Sequence, residues 1–434
     1  MKKIKNTFVL LSTLVLLTAC STNKAKEEVN EPVRTVELIE NIRTNNEEKS
    51  LAKKEITYDE KEITEKDDEN DSSHQIDEKD QSEEKIETVS LIAGGDLMAN
   101  IGQTEYAYNK GNGKYDYSDS FMYVSDFIKD ADIAIANYET TTNPNVPYAG
   151  HPRFNAPAEY LKEIKNAGFD VLTTANNHSL DTDIDGLTTT IDAIEEAGLD
   201  HVGTRDEDGD TRFIIKKVND INIAFLSYTY GCNGIEDLFK VREEVDQVNY
   251  LHEEEIKKDI ENAKEEGADF IVVYPHWGIE LHSDADPSQI ELGRKMIDWG
   301  ADLVIGNHPH VVEPYEEYES SDGRKGFIAY ACGNFISIQN LETVNDIRTE
   351  QSVAYKFELS KDFSDGSTSI DKFEAYPLWV GMTYNDYGRS VRTYICEDFL
   401  DGGKYYDKVD ENQRERIQKA FDATTATINR EVNY

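Results

Sequence analysis

The 434-residue chain is short of basic side chains. It has 45 Lys and Arg residues against 87 Asp and Glu residues, which gives a formal net charge of −42 at pH 7. Proteins bind the phosphates of nucleic acids through clusters of Lys and Arg. We therefore expect no nucleic-acid partner. Acidic polymers are repelled for the same reason, unless a bound cation or a local Arg or Lys site reverses the field.

Long apolar runs are also rare, and the one that stands out lies at the N-terminus. Basic residues precede an apolar run over residues 8–17, which is too short to span a membrane as a mature helix, and Cys20 follows. This order is typical of a bacterial lipoprotein signal peptide over residues 1–20, with Cys20 lipidated after cleavage. The alternative is an ordinary cleaved signal with an incidental cysteine. We expect a protein anchored by lipid to the extracytoplasmic side of the cell membrane.

Cysteine is scarce in the rest of the chain. Only Cys232, Cys332 and Cys396 follow Cys20. An odd number of cysteines in an exported chain argues against a disulfide framework. One pair would be compatible with this number, but no spacing supports it. We expect the three side chains to act as small buried hydrophobic groups.

Apolar and aromatic residues are sparse between residues 21 and 87. This segment is crowded with Glu, Asp, Lys and Asn, and Tyr58 is its one aromatic residue. Such a composition cannot bury enough apolar surface to offset the entropy of ordering. We expect a disordered acidic tether over residues 21–87, a folded domain over residues 88–400 and a polar helical tail over residues 401–434.

From Thr88 onward, apolar runs typical of strands alternate with amphipathic helices. Predicted helices over residues 186–197, 253–266 and 289–299 are each followed by glycine, a common helix C-terminal signal. Two strands around Asn219-Asp220 predict a hairpin. Alternating βαβ units with antiparallel pairs added predict a layered α/β domain.

Five predicted strands end in side chains that can bind a metal. In strand order these side chains are Asp96, Glu139, Asn177 with His178, His276, and His308 with His310. Ligands bind beyond the carboxyl ends of the strands in open α/β sheets. Carboxylate, amide and imidazole donors suit a divalent metal such as Mn, Fe, Zn or Mg. One such residue is usually a cap or turn residue, but five strand ends in succession predict a metal site.

The segment Gly306-Asn307-His308-Pro309-His310 follows the apolar run 301–305. Side chains two apart on an extended backbone point the same way, so His308 and His310 are expected to converge on one spot. The alternative is a turn whose histidines form local hydrogen bonds.

These motifs resemble the CapA family of poly-γ-glutamate capsule synthesis, within the calcineurin-like metallophosphoesterase superfamily. The matching segments are Gly95-Asp96-Leu97-Met98, Asn137-Tyr138-Glu139, Ala175-Asn176-Asn177-His178, His276-Trp277-Gly278 and Tyr330-Ala331-Cys332-Gly333-Asn334-Phe335. The resemblance implies a four-layer βα-sandwich. It also implies a role in capsule assembly or export, with the polymer and capsule synthesis membrane proteins as partners.

The resemblance further implies a two-metal centre. One metal would be held by Glu139, Asn177, His276 and His308. The other would be held by Asp96, Glu139 and His310, with Met98 where the superfamily has a histidine. Losing that ligand should weaken the second of these metals. We therefore expect one tightly bound divalent transition metal (Mn, Fe or Zn) and one weak site.

The resemblance also gives His178 the role of a general acid or transition-state stabiliser, and the alternative is a hydrogen bond to a ligand. Arg153 could bind an anionic group of the substrate, since guanidinium pairs bidentately with carboxylate or phosphate, or could form a surface ion pair. Glu280 is expected to orient a ligand histidine or to begin a helix. Two functions follow: a capsule role, and metal-assisted hydrolysis of an extracytoplasmic phosphoester.

Overall fold

The computed structural model describes residues 85–206, 211–236 and 246–432. The signal peptide, Cys20 and residues 21–84 of the expected tether lie outside this part of the chain. The strands are β1 Ile86–Leu97, β2 Ile133–Tyr138, β3 Val171–Thr173, β4 Asp200–Val202, β5 Phe213–Val218, β6 Ile221–Thr229, β7 Phe270–His276, β8 Leu303–Ile305, β9 Tyr315–Glu319, β10 Lys325–Ala329, β11 Asn334–Ile336, β12 Gln351–Asp362, β13 Thr368–Asn385 and β14 Gly388–Ile395.

Helices alternate with these strands along most of the described chain. The α-helices are α1 Ile101–Lys110, α2 Ser125–Lys129, α3 Ala158–Ala167, α4 Asp183–Glu196, α5 Glu253–Glu265, α6 Pro287–Trp299, α7 Leu341–Val344 and α8 Glu411–Ile428. Short 3-10 turns lie at Ile347–Glu350, Cys396–Phe399 and Tyr406–Lys408. No helix in the described residues is both long and apolar enough to cross a membrane.

Two sheets form the centre of the molecule. The first has the order β14-β13-β12-β1-β2-β3-β4, with β11 paired to β1, and the second has the order β5-β6-β7-β8-β10-β9. Strands β1 to β4 are parallel, whereas β12 to β14 are antiparallel. The β5–β6 hairpin turns at Asn219 and Asp220, as predicted, and both residues have positive φ.

The two sheets pack face to face through one apolar core. Leu91, Ile135, Phe225, Val272 and Phe357 belong to it and are almost completely buried. A second core fills the space between the first sheet and helices that include α3, and a third lies between the second sheet and α5 and α6. Alternate residues of each strand point to opposite faces, so each sheet supplies two cores. The result is a helix–sheet–sheet–helix sandwich, which confirms the predicted four-layer α/β fold.

The ends of the folded domain differ from the sequence-based boundaries. Strand β1 begins at Ile86, two residues before the predicted start. The residues after 400 belong to the same compact unit as the sandwich. In α8, Ile417 joins a core with Trp379 and Phe399. The C-terminal helix is therefore part of the domain's packing.

The three cysteines of the described chain are free and buried, as expected. Burial raises the pKa of the Cys232 and Cys332 thiols well above their ordinary value. A buried thiol that stays protonated is a poor nucleophile and a poor metal ligand. A thiolate metal site is therefore not supported at these positions.

Candidate metal centre

The carboxyl ends of the parallel strands from both sheets meet at one place. Asp96 lies in β1, Glu139 directly follows β2, and His276 ends β7. Two glycines let the chains approach closely here. A Cβ atom at Gly95 would lie 1.9 Å from the carbonyl oxygen of Gly333, and one at Gly306 would lie 1.9 Å from that of Tyr330. Any side chain at either position would push the strand ends apart.

Glu139 lies at the centre of a cluster of side chains at these strand ends. Its carboxylate is completely buried, and Oε1 lies 3.7 Å from Nε2 of His276 and 3.7 Å from Nε2 of His310. Nε2 of His178 lies 4.0 Å from the same oxygen. The three imidazoles thus converge on one carboxylate. Asp96 approaches from the other side, with Oδ2 lying 3.4 Å from Nδ1 of His310.

The donor atoms of this cluster lack the partners that buried polar groups normally have. Both carboxylate oxygens of Glu139, Oδ2 of Asp96 and Nδ1 of His308 are buried without a hydrogen bond to the described residues. Asp96, Glu139 and His276 each offer a ligand atom within 4.8 Å of the others. Leaving such groups unsatisfied is costly, whereas a cation would satisfy all of them. The cluster therefore has the composition of a divalent metal site. Its nitrogen and oxygen donors do not specify which metal it binds.

Protonation in the cluster follows from burial. Burial, and then the neighbouring Asp96 carboxylate, raise the pKa of Glu139 well above its ordinary range. Burial, and then the adjacent His308, lower the pKa of His276 well below its ordinary value, and burial lowers the pKa of His308 to about 3. The imidazoles of His276 and His308 are thus kept in the neutral form that binds metals. A cation would also draw the proton from Glu139.

The backbone at the two neighbouring histidines is not extended, contrary to the sequence-based expectation. Strand β8 ends at Ile305, and His308 and His310 have φ values of 101° and 59°. Left-handed conformations are rare for such residues and need support from their surroundings. Both side chains still reach the cluster, with ring centroids 6.2 Å apart. The convergence was predicted correctly, but the backbone that produces it was not.

The tautomer of His310 follows from the amide of Asn334. The side-chain nitrogen of Asn334 donates to the carbonyl oxygen of Thr349 at 3.1 Å, so its side-chain oxygen must face His310. That oxygen lies 3.0 Å from Nδ1 of His310, which therefore carries the proton. The lone pair on Nε2 points toward Glu139, as a metal ligand requires.

The orientation of His178 is set by contacts with residues outside the group of histidines. Its Nδ1 lies 2.7 Å from Oδ2 of Asp181, and the ring of Phe154 meets it edge-on at 4.6 Å. The backbone N–H of His178 donates to the side chain of Asn176. These contacts aim Nε2 at Glu139. Asp181 was missed in the sequence, where only its spacing of three residues from His178 could have indicated it.

Met98 is 3% exposed and lies at the edge of the cluster's pocket. Its sulfur accepts a hydrogen bond from Oγ of Ser337 at 3.5 Å. A thioether is a soft ligand that does not suit a nitrogen and oxygen site. Nearby, Asn137 donates to Oδ1 of Asp96 at 2.8 Å, which leaves Oδ2 of Asp96 free for a cation.

A pocket of about 650 Å³ opens onto the cluster. Its walls include Asn177, His178 and His310, and its formally charged residues are Arg153 and Glu280. Arg153 donates to the carbonyl oxygen of Asp181 and forms an ion pair with Asp183, with Nη2 2.8 Å from Oδ1. Arg153 thus forms the surface ion pair, and it also lines the pocket, where its binding of an anionic substrate group stays a prediction.

Two further residues refine the sequence-based picture. Glu280 is exposed and lines the pocket, and no hydrogen bond joins it to a ligand histidine among the described residues, so its orienting role stays a prediction. Tyr230 was not singled out by sequence. Its ring lies 4.7 Å from that of His308 and stacks near His276, so it covers one side of the cluster.

Comparison with known sequences places these residues in one family. The family described as bacterial capsule synthesis protein PGA_cap matches residues 90–339. A capsule biosynthesis protein CapA from Bacillus anthracis is 31% identical over 269 residues, covering 60% of this chain and 62% of that protein. A PGA biosynthesis protein CapA from Bacillus subtilis (strain 168) is 31% identical over 267 residues, covering 60% of this chain and 67% of that protein. The match thus spans less than two thirds of the first of these relatives.

Solved structures offer a more distant likeness. The calcineurin-like phosphoesterase YfkN from Bacillus subtilis is 16% identical, with a TM-score of 0.41, over 80% of this chain and 100% of that chain. A 5'-nucleotidase from Candida albicans SC5314 is 10% identical, with a TM-score of 0.37, over 78% of this chain and 57% of that chain.

Proposed function

Because the chain belongs to the bacterial capsule synthesis protein PGA_cap family, we propose that it acts in the synthesis or export of poly-γ-glutamate. The observation that carries this proposal is the buried donor cluster at the floor of a pocket with few acidic side chains. The chain as a whole has a net charge of −42, which repels an acidic polymer. A divalent cation in the cluster, together with Arg153, supplies the local positive charge that such a polymer needs.

The residues that would hold the metal are those that converge on Glu139. They are Asp96, Glu139, Asn177, His276, His308 and His310. A bound divalent metal would supply positive charge and polarise a carboxylate or phosphoryl oxygen. Around it, Asn334 fixes the tautomer of His310, and Tyr230 shields the imidazoles from water.

We propose that the protein carries out this role outside the cytoplasmic membrane. The lipoprotein-like order of residues 1–20 supports anchoring through Cys20, and the segment between Cys20 and β1 would serve as the tether to the bilayer. Membrane proteins of capsule synthesis would then be its neighbours. Replacing Cys20 with Ala should release the protein or leave it unprocessed, as measured by cell fractionation and mass. An unchanged mass in the membrane fraction would rule out the anchor.

A metal-dependent phosphoesterase is the second candidate. The contact between His178 and Asp181 favours it, because a histidine held in this way can deliver a proton from Nε2 to a leaving oxygen. The thioether of Met98, where the superfamily has a histidine, argues for slow turnover at best.

One experiment separates the two functions. A deletion strain of a producing organism is complemented with wild type, His276→Ala or His178→Ala, and surface poly-γ-glutamate is measured. The purified wild type and His178→Ala proteins are screened in parallel on phosphoesters. Loss of polymer on deletion and with His276→Ala, without phosphoester turnover, supports the capsule role. Robust metal-dependent turnover that falls ~10²-fold or more in His178→Ala supports the enzyme.

A further inference from the structure

Two short chains of side-chain amides lead from the cluster to the pocket wall. In the first, Oδ1 of Asn177 lies 3.0 Å from Nε2 of His276. The nitrogen of the same amide donates to Oδ1 of Asn233 at 3.3 Å. The hydroxyl of Tyr230 donates to that oxygen as well, at 3.4 Å. The oxygen of Asn233 is therefore fully engaged.

The second chain of amides starts from a different histidine, and its hydrogen bonds run in the same direction. Oδ1 of Asn334 faces Nδ1 of His310 at 3.0 Å, and its nitrogen donates to Oε1 of Gln339 at 3.2 Å. The nitrogen of Asn334 also donates to the carbonyl oxygen of Thr349 at 3.1 Å, so this amide cannot be turned around.

The direction of the hydrogen bonds in both chains of amides determines which side-chain groups are left free to face the pocket. Each ends in an amide whose oxygen accepts a hydrogen bond from the cluster side, so its NH₂ group is left over. Neither Nδ2 of Asn233 nor Nε2 of Gln339 donates a hydrogen bond to any of the described residues, and both residues line the pocket. Asn233 has a φ of 54°, a left-handed conformation that asparagine tolerates better than most residues.

We propose that Asn233 and Gln339 are specificity-determining residues that bind a carboxylate of a γ-linked glutamate chain with their NH₂ groups. The inference rests on the proposed capsule function and names the chemical class that the pocket selects. It also connects the metal centre to the substrate, because the same amides that hold His276 and His310 orient the two donors.

The lining favours a carboxylate of a polyamide over a phosphate. Arg153 is the sole formal cation among the described pocket-lining side chains, apart from the histidines, whereas a phosphate dianion calls for more positive charge. Ile235, Leu281, Ile338 and Val344 add apolar surface to the walls. Methylenes between the amides of a γ-glutamyl chain match that surface.

The test uses variants that keep each amide's accepting oxygen and exchange the free NH₂ group for a second oxygen. These variants are Asn233→Asp and Gln339→Glu. Asn166→Asp, on the exposed face of α3, adds the same charge away from the pocket. Binding of tri-γ-glutamate and of inorganic phosphate to the full chain is measured by calorimetry, and retained metal by elemental analysis.

We expect each pocket variant to weaken tri-γ-glutamate binding on the order of tenfold to a hundredfold, as for a lost hydrogen bond to a charged group. Metal content and the Asn166→Asp control should match wild type. Unchanged affinity in both variants, or loss of metal with the affinity, would overturn the proposal. Phosphate binding as tight as tri-γ-glutamate, and equally sensitive, would overturn the carboxylate class.

Failure of this inference can be told apart from failure of the capsule function. A deletion strain that keeps its surface polymer contradicts the capsule function, whatever the binding data show. A deletion strain that loses its polymer but is fully complemented by Asn233→Asp with Gln339→Glu contradicts only the assignment of the two donors.

Discussion

Nδ1 of His178 lies 2.7 Å from Oδ2 of Asp181, and the opposite ring nitrogen points at the buried carboxylate of Glu139. The same Asp181 oxygen accepts the backbone N–H of Phe154, whose ring meets His178 edge-on. Asp181 thus sets both the direction of the imidazole and the wall against which it rests. The orientation of the His178 ring, with Nε2 toward Glu139, is therefore set by the protein without a bound ligand.

Replacing Asp181 with Asn should therefore act through His178. We expect metal content to stay at the wild-type level, because the ligand atoms around Glu139 are untouched. Any phosphoester turnover by wild type should fall by ~10²-fold or more, as when a general acid loses its orientation. The measurement is kcat/KM beside elemental analysis. Equal kcat/KM in the two proteins would remove Asp181 from the mechanism.

The metal ligands should not contribute equally. We expect His276→Ala or His308→Ala to abolish metal retention, and Asp96→Ala to reduce it less, since the donor set containing Asp96 has Met98 in place of a histidine. Elemental analysis after extensive dialysis measures this. His282→Ala, an exposed histidine outside the cluster, is the matched control. Two equally tight metals in the wild type would contradict the asymmetry.

Met98→His should restore a nitrogen donor beside Asp96. We expect the retained metal to rise from about one to about two ions per chain, because imidazole suits a site that thioether does not. Met98→Leu keeps the apolar volume without a donor and should match wild type. If Met98→His still binds one ion, the weakness of this site has a cause other than the missing histidine.

Glu313 should make stability depend on pH. Its carboxylate is completely buried, and one oxygen accepts from Nε2 of Gln289 at 2.8 Å. Burial raises the pKa of Glu313 from 4.5 to about 8. The folded state therefore holds a proton that the unfolded state has lost, and this contribution to stability declines as the pH rises from 4.5 through 8.

Glu313→Gln removes that titration. The wild type loses stability as the pH rises and the variant does not. From pH 5 to pH 9, the unfolding free energy of the variant minus that of wild type should therefore increase by on the order of a few kcal/mol. Urea denaturation at both pH values measures the difference. Glu265→Gln, at an exposed carboxylate at the end of α5, is the control. Parallel pH profiles for wild type and Glu313→Gln would show that Glu313 does not titrate in this range.

The sequence revealed the part of the site that lies at strand ends, because an apolar run followed by Asp, Glu or His is visible locally. Other features depend on contacts between distant segments. The left-handed backbone at His308 and His310 has no local signature, since these residues seldom adopt it. Asn233 reaches the cluster through a side chain 56 residues away in the chain. The packing of α8 likewise depends on Trp379, which pattern alone could not reveal.

The pairing of β1 with β12 has a practical consequence for gene fragments. The family match ends at residue 339, whereas β12 begins at Gln351 and pairs with β1 from Ile86 to Ala93. A fragment cut to the matched region would keep every proposed ligand but leave one side of β1 as a bare, largely apolar edge. Such edges recruit other chains. Expressed alone, that fragment should precipitate, although it contains every ligand proposed around Glu139.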